Sequence, residues 1–132
     1  MKKSRKKSPS RDELKTLVQD LGGPAQLEKI LFRFYSKMAQ DLMIGFFFEG
    51  KDVLEISGQQ AKFILNAAGL IERFEGKGPS QAHLKMPPIL SGHFDRRLVI
   101  LREVLTEQGL LPLQIETWIQ FEEGFRLMVV SS

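Results

Sequence analysis

The sequence predicts an all-α protein with six or seven helices. Apolar residues recur at helical spacing in several separate stretches, and glycine or proline stands between those stretches. Alternating β-branched runs and Asn-Gly turns, which are typical of strands and hairpins, do not occur. The length of 132 residues fits a single domain.

A capping box is predicted at the start of the first helix. Ser10 can accept a hydrogen bond from the amide three residues later, and Glu13 can reach back to the amide of Ser10. One helical face then carries Leu14, Leu17, Val18 and Leu21. The run Gly22-Gly23-Pro24 should end this helix and begin a second one, because proline is well tolerated in a first turn.

The second helix has the stronger apolar face, which consists of Leu27, Ile30, Leu31, Phe34 and Met38. Tyr35 lies on the same side, so we expect its ring inside the protein and its hydroxyl group beside a polar partner. The aromatic cluster Phe46-Phe47-Phe48 follows soon after. This cluster is too apolar for a solvent-exposed loop and should be covered by the core or by a large apolar ligand.

Asp52 is predicted to cap a third helix. The inner face of this helix carries Val53, Ile56, Gln60, Phe63, Ile64 and Ala67. A buried amide is costly unless it is hydrogen-bonded, so Gln60 should face either a core partner or a polar atom of a ligand. The neighbouring Gln59 is the alternative inward residue, but only Gln60 shares a face with Ile56 and Phe63.

A loop is predicted over residues 69–79, followed by a short helical turn around residues 80–86. This turn should stop at Pro87-Pro88, because proline lacks the amide that a continuing helix needs. His83 lies in the middle of the turn. Since both of its flanks are restricted, the turn is well suited to hold a side chain in a fixed position.

Two further helices are predicted in the last third of the chain. Ser91 or Asp95 could cap the first of them, which should end near Gly109 and whose apolar face carries Phe94, Leu98, Leu101 and Leu105. A last helix should open at Pro112. Its buried residues are predicted to be Ile115, Trp118, Ile119, Phe125 and Val129.

The net charge of +3 is concentrated at the N-terminus, where six basic residues and no acidic residue fall within positions 1–11. Residues 12–132 carry 13 basic against 16 acidic side chains. We therefore assign residues 1–11 to a basic disordered tail and residues 12–132 to the folded domain. A tail of this kind could bind an anionic partner non-specifically, but a solubilising extension is the preferred interpretation, and no specific nucleic-acid binding is expected.

The chain has no cysteine, which excludes disulfide frameworks, thiolate-bound zinc, cysteine-held iron–sulfur clusters and thiol catalysis. No nucleophile–base–acid set or phosphate-binding loop is visible, which disfavours a conventional hydrolase. An apolar run of 18 residues is missing, and charged residues follow the basic start where a signal peptide needs its apolar core. We expect no transmembrane segment and a cytoplasmic location.

Several of these landmarks occur together in one order and spacing. They are Leu21-Gly22-Gly23, Phe34-Tyr35, Asp41 with Phe47-Phe48, Gln60 with Phe63, Phe74-Glu75-Gly76, Ala82-His83 and His93-Phe94-Asp95. In this combination the chain resembles the truncated haemoglobins, the shortened globins that fold as a two-over-two helical sandwich, and group I of that family most closely. The resemblance runs from about Leu21 to Val130.

The resemblance implies that the cofactor is haem b. His83 would be the metal ligand on the proximal side, and Tyr35 and Gln60 would be the distal hydrogen-bond donors to bound dioxygen. This assignment agrees with the chemistry of the residues, because a neutral imidazole is the proximal iron ligand of globins and the polarity of the distal pocket selects the gas that binds. His93 is a rival ligand, but its place at the start of a helix beside Gly92 favours a capping or surface residue.

The resemblance also assigns the walls of the pocket. Phe48 would pack against the porphyrin face, Phe63 would line the pocket, and Ile56 takes the position where many globins have a distal histidine. Gln59 occupies a position that often carries a basic partner for a haem propionate. The candidates for propionate pairing here are Lys62, Arg73, Lys77 and Lys85.

The implied function is the binding of dioxygen and of other diatomic gases such as nitric oxide and carbon monoxide. Oxygen transport, oxygen sensing and nitric oxide detoxification with a reductase partner are all compatible with such a pocket. The spacing of residues around His83 differs by about one residue from the family pattern on either side. A haem-free globin-like regulatory or interaction module is therefore the alternative, with the aromatic cluster simply filling the core.

Overall fold

The computed structural model describes residues 8–76 and 87–131, and these residues form helices without any strand. The α-helices are α1 (Arg11–Leu21), α2 (Pro24–Ala39), α3 (Val53–Ala67), α4 (Ser91–Glu107), α5 (Pro112–Glu123) and α6 (Arg126–Val129). A 3-10 helix covers Gly45–Phe48. The predicted all-α class is confirmed, while the predicted turn at 80–86 and most of the predicted tail lie outside the described residues.

The helix starts follow from local sequence signals. Ser10 Oγ accepts from the amide of Glu13 at 3.1 Å, and Glu13 Oε1 accepts from the amide of Ser10 at 2.8 Å, which forms the predicted capping box. Arg11, which we placed in the tail, is the first residue of α1. Asp52 caps α3 by accepting from two backbone amides, and prolines open α2 and α5 as predicted.

Two helix pairs enclose the core. Helix α2 packs against α3 and α4, and α5 packs against α4 and α1. The largest side chains with almost no solvent exposure are Trp118, Phe34, Leu27, Ile30, Leu31 and Met38. Among the described residues no helix is long and apolar enough to cross a membrane.

The structure corrects three local predictions. Helix α4 begins after Leu90, not at a Ser91 or Asp95 cap, because His93 Nδ1 accepts from the Leu90 amide at 2.9 Å and takes over the capping role. The predicted last helix is two helices, since the chain turns at Gly124 and Phe125 before α6. The aromatic cluster is only partly covered: Phe47 is buried, Phe48 is half-buried, and Phe46 is exposed.

Asp41 fixes the turn that leads into the 3-10 helix. Its Oδ2 accepts from the amides of Met43 and Ile44, and its Oδ1 accepts from Arg96 Nε and Nη2 at 3.0 and 2.7 Å. The hydrogen bond from Arg96 is the main cause that lowers the pKa of Asp41 below its ordinary value of 3.8, and burial acts in the opposite direction. This contact ties the aromatic turn to α4.

We predict that Asp41→Asn lowers the free energy of unfolding at pH 7 by about 1 kcal/mol, because asparagine keeps an acceptor for the amides but loses the charge that Arg96 contacts. A lowered pKa stabilises the fold above the unfolded-state pKa, and this contribution is lost as the pH falls through the folded-state value. The difference between the two proteins should therefore shrink only below about pH 3.8. Urea unfolding from pH 7 to pH 2 measures it, and a gap that closes near neutral pH would contradict the assignment.

Candidate ligand-binding cavity

A cavity of about 890 Å³ lies between α2, α3, α4 and the 3-10 helix. Its volume falls within the range of roughly 300–1,000 Å³ that is usual for ligand pockets. The apolar walls are Ile44, Phe47, Phe48, Ile56, Phe63 and Phe74, with Phe125 and Val129 on the C-terminal side. Polar and charged side chains line the rest of the cavity, so it suits a ligand with a large apolar body and polar or charged groups at its edge.

The structure places five of the predicted site residues around this cavity, namely Tyr35, Phe48, Ile56, Gln60 and Phe63. The Tyr35 ring is almost fully buried and meets the Phe48 ring edge-on, with the centroids 5.9 Å apart. Gln60 is half-buried and Gln59 is exposed, yet both line the cavity. The sixth predicted residue, His83, lies outside the described residues.

The charged side chains along the cavity belong mainly to α3 and its flanks. Lys51, Glu55, Lys62 and Glu75 all line it. Of the predicted partners for a propionate, Lys62 is therefore in place and Arg73 does not line the cavity, whereas Lys77 and Lys85 lie outside the described residues. Lys51 was not predicted, although it stands only one position before the cap of α3.

His93 lines the cavity, but its hydrogen bond argues against a role as an iron ligand. Its Nδ1 accepts from the Leu90 amide, so the single proton of the neutral ring is on Nε2. A protonated Nε2 has no lone pair to give to a metal. The ring also meets the edges of Phe46 and Phe47, which hold it in its capping position.

Sequence reasoning missed the most buried charges at the cavity, Arg97 on α4 and Glu122 on α5. Arg97 Nε and Nη2 both lie 2.9 Å from Glu122 Oε1, and the two side chains are 19% and 5% exposed. Arg97 Nη2 also donates to the Tyr35 hydroxyl oxygen at 3.3 Å, and Nη1 contacts the Met38 sulfur at 3.7 Å. The ion pair thus connects three helices at the wall of the cavity.

Arg97 is charged in this environment. Burial by itself would lower the pKa of Arg97, but the carboxylate of Glu122 and the hydroxyl group of Tyr35 more than offset that effect, so the pKa is raised above its ordinary value. The guanidinium also lies over the Phe34 ring, with Cζ 4.9 Å from the centroid. Glu122 Oε2 is buried and has no hydrogen-bond partner among the described residues, so the carboxylate depends on Arg97.

A sequence signal for this pair did exist. Arg97 comes three residues after Phe94 and four before Leu101, so it lies on the apolar face of α4. Glu122 lies in the same way one turn after Trp118 on α5. Opposite charges on two apolar helix faces indicate a buried ion pair, but the adjacent Arg96 makes the arginine dipeptide look like an ordinary solvated surface.

The helical sandwich with a large cavity between its helices is the architecture of the globin class. The family model for bacterial-like globins matches residues 16–130. The chain belongs to this family, and the predicted resemblance to group I of the truncated haemoglobins is confirmed.

Curated relatives agree with this assignment. The chain is 30% identical over 98 residues to a group 1 truncated haemoglobin of Chlamydomonas moewusii, covering 74% of this chain and 57% of that relative. It therefore spans a little over half the length of that relative. A group 1 truncated haemoglobin of Synechocystis sp. is 29% identical over 99 residues, covering 73% of this chain and 80% of the relative.

Solved structures of truncated haemoglobins share the fold. A variant of the Tetrahymena pyriformis truncated haemoglobin in its Fe(III) form superposes with a TM-score of 0.79 at 25% identity, over 89% of this chain and 99% of that chain. The 2/2 haemoglobin of Synechococcus sp., in the cyanomet state with covalently attached haem, gives a TM-score of 0.72 at 24% identity. That match covers 85% of this chain and 94% of that chain.

We predict that Arg97→Met alone lowers the free energy of unfolding by about 3–5 kcal/mol, because Glu122 is left buried without its counter-charge. The double variant Arg97→Met/Glu122→Met should lose much less, since both charges are replaced by apolar side chains. Arg102→Met is the matched control, because Arg102 also lies on α4 and pairs with a glutamate of α5, Glu116, but is 49% exposed and does not line the cavity. If the double variant proved less stable than Arg97→Met, the ion pair would not be the relevant interaction.

Proposed function

We propose that this chain binds haem b in the cavity and uses it to bind dioxygen and other diatomic gases. The observation that carries the proposal is the convergence of Tyr35, Phe48, Ile56, Gln60 and Phe63, from three separate helices, on one large apolar cavity. The group 1 truncated haemoglobin family of the curated relatives supports the same choice of ligand.

The residues around the cavity fit such a group. Aromatic and aliphatic side chains provide apolar surface for a porphyrin, and Phe48 is the candidate for packing against its face. Lys51 and Lys62 provide positive charge along the cavity for the propionates. The distal side has the Tyr35 hydroxyl and the Gln60 amide as donors.

His83 is the proposed proximal ligand. It stands in sequence between Gly76 and Ile89, both of which line the cavity. The chain has no cysteine, and in its other histidine, His93, Nδ1 accepts from the Leu90 amide, which leaves the proton of the neutral ring on Nε2. His83 is therefore the residue whose chemistry and place in the chain suit the role.

Haem b, when bound, supplies the iron that takes up the gas. Tyr35 and Gln60 would hold a gas ligand that carries partial negative charge by donating hydrogen bonds to it, and the apolar side chains of Ile56 and Phe63 would keep competing water away. Carbon monoxide carries less charge and gains less from the same donors. The pocket should therefore favour dioxygen over carbon monoxide, which carries less charge when it is bound.

The haem-free alternative has less support. It requires the aromatic cluster to fill the core, yet Phe46 is exposed and a large cavity remains beside Phe47 and Phe48. Interiors are normally packed nearly without voids. A large cavity beside the aromatic cluster therefore fits a ligand-binding globin better than a haem-free one.

More specifically, we propose that the gas-binding site serves nitric oxide detoxification. One dioxygen and one nitric oxide combine with one electron to give one nitrate, so a reductase must supply one electron per turnover. The buried Tyr35 hydroxyl supports it, because it would retain dioxygen until nitric oxide arrives. Such a role fits a cytoplasmic location, where reduced electron carriers are available.

We predict that His83→Ala weakens haem binding and abolishes the ferrous spectrum of a histidine-ligated haem, and that added imidazole restores it. His93→Asn is the matched control, because asparagine keeps an acceptor for the Leu90 amide and should leave the spectrum unchanged. Absorbance spectra of the ferric, ferrous and carbon monoxide forms measure both. An unchanged ferrous spectrum in His83→Ala would rule out His83.

We predict that Tyr35→Phe speeds dioxygen dissociation roughly tenfold or more, since it removes a buried hydrogen bond worth about 1.5 kcal/mol or more. Stopped-flow displacement of dioxygen measures the rate. Carbon monoxide dissociation is the internal control and should change much less. Equal acceleration of both gases would point to a general loosening of the cavity instead of a lost donor.

A further inference from the structure

Arg97 restricts what the Tyr35 hydroxyl can do. An arginine side chain has only donors, so in the contact between Arg97 Nη2 and Tyr35 the phenol oxygen must accept. No described residue accepts a hydrogen bond from Tyr35. Within the described part of the chain the hydroxyl proton is therefore not engaged by a protein acceptor, and Tyr35 can direct it into the cavity that it lines.

The guanidinium is itself held in place on several sides. Glu122 Oε1 engages two of its nitrogens, the Met38 sulfur lies beside a third, and the Phe34 ring lies against it. Arg97 is therefore a fixed donor and not a flexible surface side chain. A lysine could not reproduce this planar, forked contact.

We propose that Arg97, anchored by Glu122, is a positioning residue that orients the Tyr35 hydroxyl proton toward the gas ligand and so sets how long dioxygen is retained. The proposal rests on the proposed function for the gas ligand, but the orientation of Tyr35 is a property of the chain itself. Arg97 acts through Tyr35, and its effect should disappear when the hydroxyl group is absent.

The hydroxyl orientation can be measured without haem. The chain contains one tyrosine, so the tyrosine bands in an ultraviolet resonance Raman spectrum report on Tyr35 alone. The intensity ratio of the tyrosine doublet distinguishes an accepting from a donating hydroxyl group. The 132-residue chain should give the accepting signature. Arg97→Met/Glu122→Met should lose it, whereas Arg102→Met, which removes an exposed ion pair between the same two helices, should keep it. A donating signature in the unmodified chain would overturn the proposal.

The consequence for the gas is measured on the haem-loaded chain. Removal of the ion pair in Arg97→Met/Glu122→Met should speed dioxygen dissociation roughly tenfold, which corresponds to about 1.4 kcal/mol. The C–O stretching frequency of the carbon monoxide form should rise in the same double variant, because the Tyr35 donor turns away from the gas. In the single variant Arg97→Lys, the dissociation rate and the C–O frequency should lie between those of the unmodified chain and those of the double variant. An unchanged rate and frequency in a folded double variant would overturn the proposal.

A double-mutant cycle separates positioning from a direct contact between Arg97 and the gas. The variant Tyr35→Phe/Arg97→Met/Glu122→Met should release dioxygen no faster than Tyr35→Phe, because the ion pair has nothing left to orient. If the two sets of substitutions instead multiplied their effects on the dioxygen dissociation rate, Arg97 would act on the gas directly, and the positioning role would be overturned. If the chain takes up no haem at all, the proposed function fails, while the Raman signature still tests Tyr35.

Discussion

The rest of the structure depends on the need to enclose a cavity of about 890 Å³ in a chain of 132 residues. The side chains that line such a cavity face solvent on one side and lack part of the packing contacts that stabilise an ordinary core. Phe34 of α2 and Trp118 of α5 are fully buried away from the cavity, whereas Tyr35 and Met38 of α2 line it. The contact between Asp41 and Arg96 ties down the turn that brings Phe47 and Phe48 to its wall. Bound haem b would supply the missing apolar contacts.

Burial of charged side chains beside this cavity costs desolvation free energy, and one network of charged and polar contacts offsets that cost. Arg97 and Glu122 neutralise each other, and Tyr35 takes up a remaining donor of the guanidinium. Replacement of such a pair by apolar residues is often neutral or stabilising, so stability alone does not explain it. The proposed role of the Arg97–Glu122 pair is to orient the Tyr35 hydroxyl group, which apolar side chains in the same place could not do.

Local chemistry made much of the fold predictable. The Ser10–Glu13 box, the Asp52 cap and the prolines that open α2 and α5 each act within one turn of chain. Tyr35 and Gln60 were recognisable as polar residues on apolar helix faces. The Arg97–Glu122 pair was not, because its partners are 25 residues apart and each looks like surface charge alone. The start of α4 and the break at Gly124 were not predictable either, because residue spacing does not show which of several possible capping and turn contacts will form.

Titration of haem b into the 132-residue chain tests most directly whether the cavity is a haem site. The absorbance of the bound form should saturate at one haem per chain, and the midpoint of thermal unfolding should rise with haem concentration, because a ligand that binds only the folded state stabilises it. A titration without saturation, together with an unchanged unfolding midpoint, would contradict the account.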